Sequence, residues 1–353
     1  MSKRLANKIA IVTGARTSGE GMGNTKAAAL LFARDLQRLW SSTLVNFVGK
    51  ALLCLASVAL IAADPGDKWA HPADCSAARK NLPPYSELVK ALRYDTEAPV
   101  VVDVLSNRDD GAVKVQDIEF DTGGGLKCSG LLIAPDRSGR YPGVIWLGSG
   151  DKEWEPDAIE FSKLGAVSFV LDYCAEVAVV DAHPFFQQRL QTVINVRRAV
   201  TILSARKDVD RRRIAFVGHS GGTVFGADAV AVDKRFKAAV FESGLQGFTY
   251  HICTSPYPFA VGVRKQLKDR LLSYVSVLAP LDAILYVGHA APTALLFQSA
   301  RLDEAVPQSD AKAFFDAASE PKQLKWYDTG HKMGLPAVTK DRTEFLKKEL
   351  GMN

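Results

Sequence analysis

The sequence predicts an α/β fold built on a mostly parallel, doubly wound sheet of about eight strands. Short apolar runs that favour β-structure recur along the chain from residue 111 onward, and segments with helical spacing separate the later runs. About 290 residues follow residue 63, which is enough for one large domain with a substantial core. These observations favour one large α/β domain.

Eight apolar runs predict the strands. The first two, 113–120 and 128–135, lie close together in sequence and predict an antiparallel hairpin. The later runs lie at 144–147, 166–173, 214–217, 237–242, 293–298 and 323–327. Helical spacing marks an amphipathic stretch at 82–94 and helices at 185–205, 223–232 and 263–278. This alternation of strands and helices indicates parallel pairing in the second half of the sheet.

A G-x-S-x-G pentapeptide runs from Gly218 to Gly222, with Ser220 at its centre. It follows the strand predicted at 214–217 and precedes the helix predicted at 223–232. Strand, sharp turn and helix form the context of a nucleophile elbow, in which a strained backbone presents the serine at the carboxyl edge of the sheet. The glycines leave room for the strand and helix to approach closely. A tight structural turn is the alternative, and this context favours Ser220 as a nucleophile.

An acid and a histidine follow the serine in chain order. Asp303 comes shortly after the seventh predicted strand, although Glu304 or Asp328 could serve as the acid instead. His331 is the only one of six histidines that follows the last predicted strand. The order of Ser220, Asp303 and His331 is that of α/β-hydrolases and differs from the orders of chymotrypsin and subtilisin. We therefore expect His331 to be the general base and Asp303 to orient it.

Three stretches of the chain are similar to one known family: 118–135, 208–222 and 290–331. On these stretches, residues 83–350 resemble the secreted dienelactone hydrolase-like branch of the α/β-hydrolase superfamily. The resemblance implies the α/β-hydrolase fold, a helical cap inserted at 244–291 and an acyl-enzyme mechanism that needs no metal or organic cofactor. Dienelactone hydrolase itself uses a cysteine nucleophile. Because Ser220 stands in its place here, we expect ordinary carboxylic esters as substrates.

The resemblance also implies two oxyanion-hole amides. One belongs to Gly221, directly after the nucleophile, and the other to the loop that follows the predicted strand at 144–147, where we expect Ser149 to contribute. Many relatives have His-Gly where this chain has Leu147-Gly148. A backbone donor does not depend on that histidine.

Four further residues are candidates for the substrate pocket: His219, His183, Tyr250 and His251. His219 lies inside the elbow, and this position favours packing or support of the catalytic residues over contact with substrate. The cap segment also carries the aromatic residues Phe248, Tyr257 and Phe259. These rings favour an apolar or aromatic acyl or alcohol group, or they simply pack the cap on the body of the domain.

The first 63 residues carry different patterns. Residues 1–35 resemble a truncated amino terminus of short-chain dehydrogenases, through the glycine-rich segment at 13–23. The similarity ends near Asp35, and the chain contains no Tyr-x-x-x-Lys pair, so we expect a leader fragment at 1–38 without a nucleotide site.

An apolar run at 51–63 follows Arg38 and Lys50 and ends in small residues. Alone it is too short to span a membrane, unless residues 44–48 extend it across Lys50, and it is typical of a signal-peptide core. A buried helix of the domain is the structural alternative. We expect residues 39–63 to direct export to the periplasm or the extracellular space, with cleavage near Ala63 and no stable membrane association afterwards. Otherwise the segment would leave the protein membrane-anchored or cytoplasmic.

Charge divides the chain at the same point. Residues 1–63 contain eight Lys and Arg and two acidic residues, whereas the remainder contains 36 basic and 37 acidic residues. The net charge of +5 therefore belongs to the leader. Without a basic face on the domain, nucleic-acid binding has no electrostatic basis.

Four cysteines remain after residue 63: Cys75, Cys128, Cys174 and Cys253. They allow up to two disulfides in three connectivities, and burial as free thiols is equally possible. Their spacing does not predict a metal site. The expected organisation is therefore a leader at 1–38, a signal segment at 39–63, an extension at 64–110 and a catalytic domain at 111–353.

The sequence favours a secreted serine hydrolase acting on small-molecule carboxylic esters. A serine peptidase or amidase on the same fold is the first alternative, because the same three residues cleave amides. A catalytically silent binding protein is the second. A nucleotide-dependent oxidoreductase would rest on the leader alone.

Overall fold

The structure is a computed structural model that describes residues 68–352, apart from 97, 99, 124–125, 149–151 and 175–176. The leader fragment predicted at 1–38 and the signal segment predicted at 39–63 lie outside the described residues. The predicted oxyanion residue Ser149 also lies outside them.

Within the described residues, nine strands form one sheet. They are β1 (Val102–Asp110), β2 (Val113–Asp121), β3 (Lys127–Pro135), β4 (Tyr141–Leu147), β5 (Val167–Leu171), β6 (Val209–His219), β7 (Phe236–Glu242), β8 (Ala294–Ala300) and β9 (Lys322–Tyr327). Their spatial order is β1-β2-β3-β5-β4-β6-β7-β8-β9. Strands β1 to β3 pair antiparallel, β3 is also antiparallel to β5, and β4 to β9 pair in parallel. The predicted hairpin and mostly parallel sheet are confirmed.

Strand β1 is the one element of the sheet that the sequence did not predict. Its side chains are almost all exposed, and it pairs only with β2 at the edge of the sheet. Because neither face of β1 is buried, its sequence lacks the alternation that marks a half-buried strand. Its Asp and Arg side chains suit an edge strand, since charge there discourages pairing with other chains. The sheet therefore extends into the segment that we assigned to an N-terminal extension.

The α-helices of the described part are α1 (Tyr85–Leu88), α2 (Glu155–Lys163), α3 (Ala182–Ala205), α4 (Gly221–Val232), α5 (Phe248–Thr254), α6 (Pro258–Leu267), α7 (Leu271–Leu278), α8 (Gln308–Ala317) and α9 (Pro336–Leu350). Helices α3, α4 and α8 pack on one face of the sheet, where Val196, Val224 and Phe314 share a core with Phe216. Helices α2 and α9 pack on the other face. The doubly wound arrangement is thus confirmed, whereas only α1 is regular helix within the stretch predicted at 82–94.

Helices α5, α6 and α7 lie between β7 and β8, in the segment predicted to form a helical cap. They form a core of their own, in which Ile252, Val275 and Leu278 are fully buried. The single helix predicted at 263–278 is broken, because Lys268 has a φ of +51° and a 3₁₀ turn follows α6. No single helix among the described residues is long and apolar enough to cross a membrane, although the bent pair Pro258–Leu281 and Ala283–His289 passes that test together.

Two disulfides join distant parts of the described chain, Cys75 to Cys253 and Cys128 to Cys174. The first attaches the segment before α1 to helix α5. Arg264 strengthens the same junction, because its fully buried guanidinium donates to the carbonyl oxygens of Ile252 and Trp69 at 2.7 and 3.2 Å. The structure thus selects one of the three connectivities that the sequence allowed.

Candidate active site

The serine of the G-x-S-x-G segment lies at a sharp turn between β6 and α4. Ser220 has a φ of +53°, in the left-handed region that side chains other than glycine rarely adopt. Its amide donates to the carbonyl oxygen of Glu242 at 2.9 Å, which ties the turn to the neighbouring strand. A Cβ atom at Gly222 would overlap the carbonyl oxygen of Leu147, so only glycine fits there. These features are those of a nucleophile elbow.

Parallel pairing brings the other two predicted residues to the same edge of the sheet. Strands β6, β8 and β9 all end there, and the loops that follow them carry Ser220, Asp303 and His331. His331 Nε2 lies 2.8 Å from Ser220 Oγ, and His331 Nδ1 lies 2.9 and 3.0 Å from the two carboxylate oxygens of Asp303. The three side chains thus form one hydrogen-bonded series.

Asp303 is the acid that contacts the imidazole. Its side chain is 2% exposed and also accepts hydrogen bonds from the amides of Ala305 and Val306. Burial alone would raise the pKa of Asp303, but the hydrogen bonds from His331 and these amides outweigh burial and hold the pKa below its ordinary value. Asp303 is therefore ionised at neutral pH.

The two alternative acids lie elsewhere. Glu304 accepts the backbone amide of His331 at 3.1 Å. Asp328 is largely exposed and pairs with Arg301 at 3.0 Å. Neither carboxylate is hydrogen-bonded to the imidazole of His331 in the described structure.

Two side chains that the sequence did not assign to the triad bind the carbonyl oxygen of His331. Ser243 Oγ donates to it at 2.9 Å, and His219 Nε2 lies 2.8 Å from it. A carbonyl oxygen only accepts, so His219 Nε2 must carry the proton. Ser243 follows β7 directly, as Ser220 follows β6. A serine just beyond a central parallel strand was the signal that could have identified it.

His219 is almost completely buried, and its Nδ1 lies 2.8 Å from Glu153 Oε1. Burial lowers the pKa of His219, but the hydrogen bond and charge of Glu153 outweigh burial, so the pKa is raised above its ordinary value. The ring centroids of His219 and Trp154 are 6.4 Å apart in an edge-to-face arrangement. His219 thus packs inside the elbow and contacts the main chain of His331, whereas a place for it in the substrate pocket stays a prediction.

Gly221, the predicted oxyanion donor, is the first residue of α4, where a helix amide has no partner within the helix. A Cβ atom at this position would lie 3.2 Å from Phe248 and 3.8 Å from Tyr173. Tyr173 Oη donates to the carbonyl oxygen of Gly148 at 2.8 Å, at the end of β4. One aromatic residue of the cap and one of the loop after β5 therefore lie close to Gly221, directly after Ser220.

The remaining pocket candidates differ in position. His251 is buried in α5, where burial and then the charge of His331 lower its pKa to about 4. Tyr250 lines a cavity of about 360 Å³ beside the Cys75–Cys253 disulfide, and no triad residue lines that cavity. His183 is exposed in the first turn of α3. Within the described part of the chain, no cluster of three or more His, Cys, Asp or Glu residues has the geometry of a metal site.

The site can perform a specific proton transfer. Because His331 Nδ1 donates to Asp303, its Nε2 is free to accept the proton of Ser220 as the oxygen attacks an electrophile. This is the arrangement of nucleophilic acyl transfer.

Comparison with known proteins identifies the fold of the described sheet and helices. A model of the prolyl oligopeptidase family matches residues 189–352, and a search of curated protein sequences finds no match. Among solved structures, an acetyl xylan esterase from Paenibacillus sp. R4 superimposes with a TM-score of 0.64 over 78% of this chain and 98% of that chain, at 19% identity. The chain has the α/β-hydrolase fold.

Two further structures extend the comparison. Acetyl xylan esterase 1 from a Thermoanaerobacterium species has a TM-score of 0.63, with 16% identity over 79% of this chain and 94% of that chain. An α/β-hydrolase from Penicillium sp. sh18 has a TM-score of 0.53, with 21% identity over 67% of this chain and 99% of that chain. At these identities the likeness establishes the fold alone. The matched family segment runs from α3 to α9 and contains Ser220, Asp303 and His331.

Proposed function

We propose that the protein is a serine hydrolase that cleaves carboxylic esters, with Ser220 as nucleophile, His331 as general base and acid, and Asp303 as the residue that orients His331. The observation that carries this proposal is the hydrogen-bonded series from Ser220 Oγ through the imidazole to a buried carboxylate. The strained backbone of Ser220 supports it, since such strain persists where function requires it.

In the proposed reaction, Ser220 Oγ attacks the ester carbonyl carbon while His331 Nε2 takes its proton. The Gly221 amide, together with the loop after β4, stabilises the negative oxygen of the tetrahedral intermediate. His331 then returns the proton to the leaving alcohol, which leaves an acyl group on Ser220. Water attacks this acyl-enzyme with the same proton transfers, releases the acid and restores Ser220.

The acyl group is proposed to be short. Phe248 lies 3.2 Å from the position that a Cβ atom at Gly221 would occupy, so the ring restricts the space beside the oxyanion donor. The structural similarity to two acetyl xylan esterases points in the same direction. Replacing Phe248 by alanine is expected to shift the preference toward longer chains, by about 10-fold in the ratio of kcat/KM values for butyrate and acetate.

The experiment is hydrolysis of p-nitrophenyl esters from acetate to octanoate by the full chain. Ser220→Ala should abolish turnover and labelling by a fluorophosphonate, whereas Ser276→Ala, an exposed serine of α7, should leave both unchanged. A folded wild-type protein that neither hydrolyses any ester nor reacts with the phosphonate would overturn the esterase proposal. That result would favour the catalytically silent binding protein.

A serine peptidase or amidase is the second candidate, because the matched family model is that of prolyl oligopeptidases. The two candidates differ in the leaving group that His331 must protonate. Paired substrates with the same acyl group, one a p-nitrophenyl ester and one a p-nitroanilide, separate them. We expect turnover of the ester only, and comparable specific turnover of peptidyl anilides would reverse the order of the two candidates.

We also infer that the protein is exported and belongs to the dienelactone hydrolase-like branch. Two disulfides in the described chain support export, because such bonds persist in oxidising compartments. Expression of the full chain in a bacterium, followed by fractionation and mass spectrometry, should locate a processed form that begins near Asp64. An unprocessed cytoplasmic chain with free thiols would contradict export. The assignment to the branch stays a prediction from sequence similarity.

A further inference from the structure

His331 lies in a loop, and its ring is therefore only as well placed as the loop itself. The loop follows β9, which is the edge strand of the sheet and is only partly buried. Within the loop, the amide of Met333 donates a hydrogen bond to the carbonyl oxygen of Gly330 at 3.1 Å. The carbonyl oxygen of Thr329 accepts a hydrogen bond from the amide of Leu302, also at 3.1 Å. These contacts join the loop to itself and to another loop. They do not join it to the centre of the sheet.

The carbonyl oxygen of His331 supplies that connection. It accepts hydrogen bonds from His219 Nε2 at 2.8 Å and from Ser243 Oγ at 2.9 Å. His219 is the last residue of β6, and Ser243 directly follows β7, so both donors belong to central parallel strands. Ser243 is itself held in a left-handed conformation, with a φ of +45°. Two rigid donors thus converge on one peptide group of a loop.

Glu153 favours the doubly protonated form of His219. His219 Nδ1 lies 2.8 Å from the Glu153 carboxylate, and Nε2 faces the His331 carbonyl, so both partners accept and both ring nitrogens must carry protons. Glu242, which is paired with His219 in the sheet register, adds a second negative charge, and Arg342 binds Glu242 at 2.6 Å. The imidazole of His331 is the other titratable group near His219, with ring centroids 5.1 Å apart.

We infer that His219, held by Glu153, is a positioning residue that fixes the main chain of His331 and so keeps the imidazole aligned between Ser220 and Asp303. The inference rests on the proposed function of the triad. It adds a dependence on the protonated form of His219. When His219 loses a proton, the Glu153 carboxylate retains the remaining one on Nδ1, and the Nε2 lone pair then faces the His331 carbonyl, which weakens the contact.

Three substitutions separate the parts of this arrangement. His219→Phe keeps an aromatic ring but removes both polar contacts of the imidazole. We expect kcat to fall about 10- to 100-fold, because small displacements of a general base have effects of that size, and KM to change by less than about 2-fold. His219→Gln keeps a donor near the position of Nε2 without a charge, and we expect it to recover most of kcat. Glu153→Gln leaves His219 in place. His71→Gln, an exposed histidine outside the site, is the matched control.

The pH profile is the readout that a merely structural role would not change. In the wild type, kcat should decline on the alkaline side as His219 deprotonates. His219→Gln should lose this alkaline decline, since a glutamine amide does not titrate. Glu153→Gln should shift it to lower pH, because the carboxylate that favours the protonated imidazole is gone.

Histidine NMR of the full chain, with ¹³C label at Cε1, tests the geometry without turnover. His331→Gln identifies the triad signal, and we expect the titration of that signal to change in His219→Phe and to stay unchanged in His71→Gln. If the wild type neither hydrolyses an ester nor reacts with the phosphonate, the proposed function fails, and the NMR comparison still decides the inference. If His219→Phe does not fold, Glu153→Gln, a half-exposed site, replaces it. An unchanged pH profile of kcat and an unchanged His331 signal in the folded variants would overturn the inference.

Discussion

Arg342 is expected to be a main determinant of stability on the α9 side of the sheet. Its guanidinium is 4% exposed, donates to Glu242 at 2.6 Å and also binds Asp157. It stacks on Trp154, with 4.8 Å between the guanidinium carbon and the ring centroid. The perturbation is Arg342→Met, which keeps a long apolar stem against this ring while removing the charge.

The structure indicates the size of the effect. Glu242 is also only 4% exposed, so the substitution would leave a buried carboxylate without its cation. Removing one member of a buried ion pair typically costs about 3–5 kcal/mol of unfolding free energy. Because Asp157 is one-third exposed and can be hydrated, we take the lower end, about 3 kcal/mol. For a domain of this size the melting temperature should fall by about 6–12 °C.

The effect should depend on pH with a definite sign. Burial raises the pKa of Glu242, and the Arg342 charge opposes that rise, so the variant carboxyl should have a still higher pKa in the folded state. A carboxyl whose pKa is higher in the folded than in the unfolded state destabilises the fold above the folded pKa, and this penalty disappears as pH falls to the unfolded pKa. The variant should therefore approach wild-type stability as the pH is lowered toward the ordinary range of a glutamate.

The assay is urea unfolding of wild type, Arg342→Met and the double variant Arg342→Met/Glu242→Gln at pH 5 and pH 8. The double variant should recover most of the lost free energy, since no buried carboxylate is then left without its cation. A loss below about 1 kcal/mol at pH 8, or an equal loss at both pH values, would refute this reasoning.

Three further predictions concern the elbow, the triad and the disulfides. Gly222→Ala should lower the free energy of unfolding by about 1–3 kcal/mol and abolish ester turnover, because the added Cβ atom would overlap the carbonyl oxygen of Leu147. Gly262→Ala, which has open space around it in α6, should raise the free energy of unfolding by about 0.5–1 kcal/mol in the same denaturation assay. Asp303→Asn should reduce kcat by about 10³- to 10⁴-fold with little change in KM, since the amide no longer holds the correct imidazole tautomer, and a decrease below 10-fold, about that of a peripheral residue, would contradict the assigned role. Removing the Cys75–Cys253 disulfide by serine substitution should lower the unfolding free energy by about 1 kcal/mol more than removing Cys128–Cys174, because the closed loops span 178 and 46 residues. Calorimetry that shows the reverse order would exclude this loop-entropy explanation.

The elbow and the fold class could be predicted from sequence because their signals are local or periodic. Ser220 is marked by glycines within two residues of it, and buried parallel strands are continuous apolar runs. The contacts of His331 with Asp303 and Ser220 could be expected because the fold dictates the order of these residues along the chain, and their catalytic roles stay a prediction. Strand β1 could not, since an edge strand exposed on both faces has no hydrophobic pattern.

The contacts of His331 required the structure, because they depend on which loops meet at the sheet edge. Glu304, which the sequence alone offers as an alternative acid, instead accepts a hydrogen bond from the His331 amide. Ser243 and Glu153 belong to other loops, and their partners are 88 and 66 residues away in sequence. The break at Lys268 also required the backbone, since a lysine with a positive φ leaves no sequence signal comparable to glycine.

The polar residues at the ends of the central strands relate the stability of the sheet to the geometry of the triad. A row of three polar residues crosses adjacent strands in register: His219, Glu242 and Gln298. In each strand, the residue two positions earlier is apolar and buried against the face of the sheet that α2 and α9 cover. A polar row at this level would be unfavourable without partners. It has them: His219 binds Glu153, Glu242 binds Arg342, and Gln298 donates to Tyr327 Oη at 2.8 Å.

Because His219 belongs both to this row and to the elbow, support of the sheet and alignment of the triad are coupled in the row. The carbonyl of Glu242 accepts the Ser220 amide, and His219 binds the His331 carbonyl. A substitution that weakens the row should therefore displace the nucleophile or the base without touching substrate. Arg342→Met is expected to lower kcat as well as stability, and the double variant should restore both together. Recovery of stability without recovery of kcat would show that the row supports the sheet and leaves the alignment of the triad to the loops.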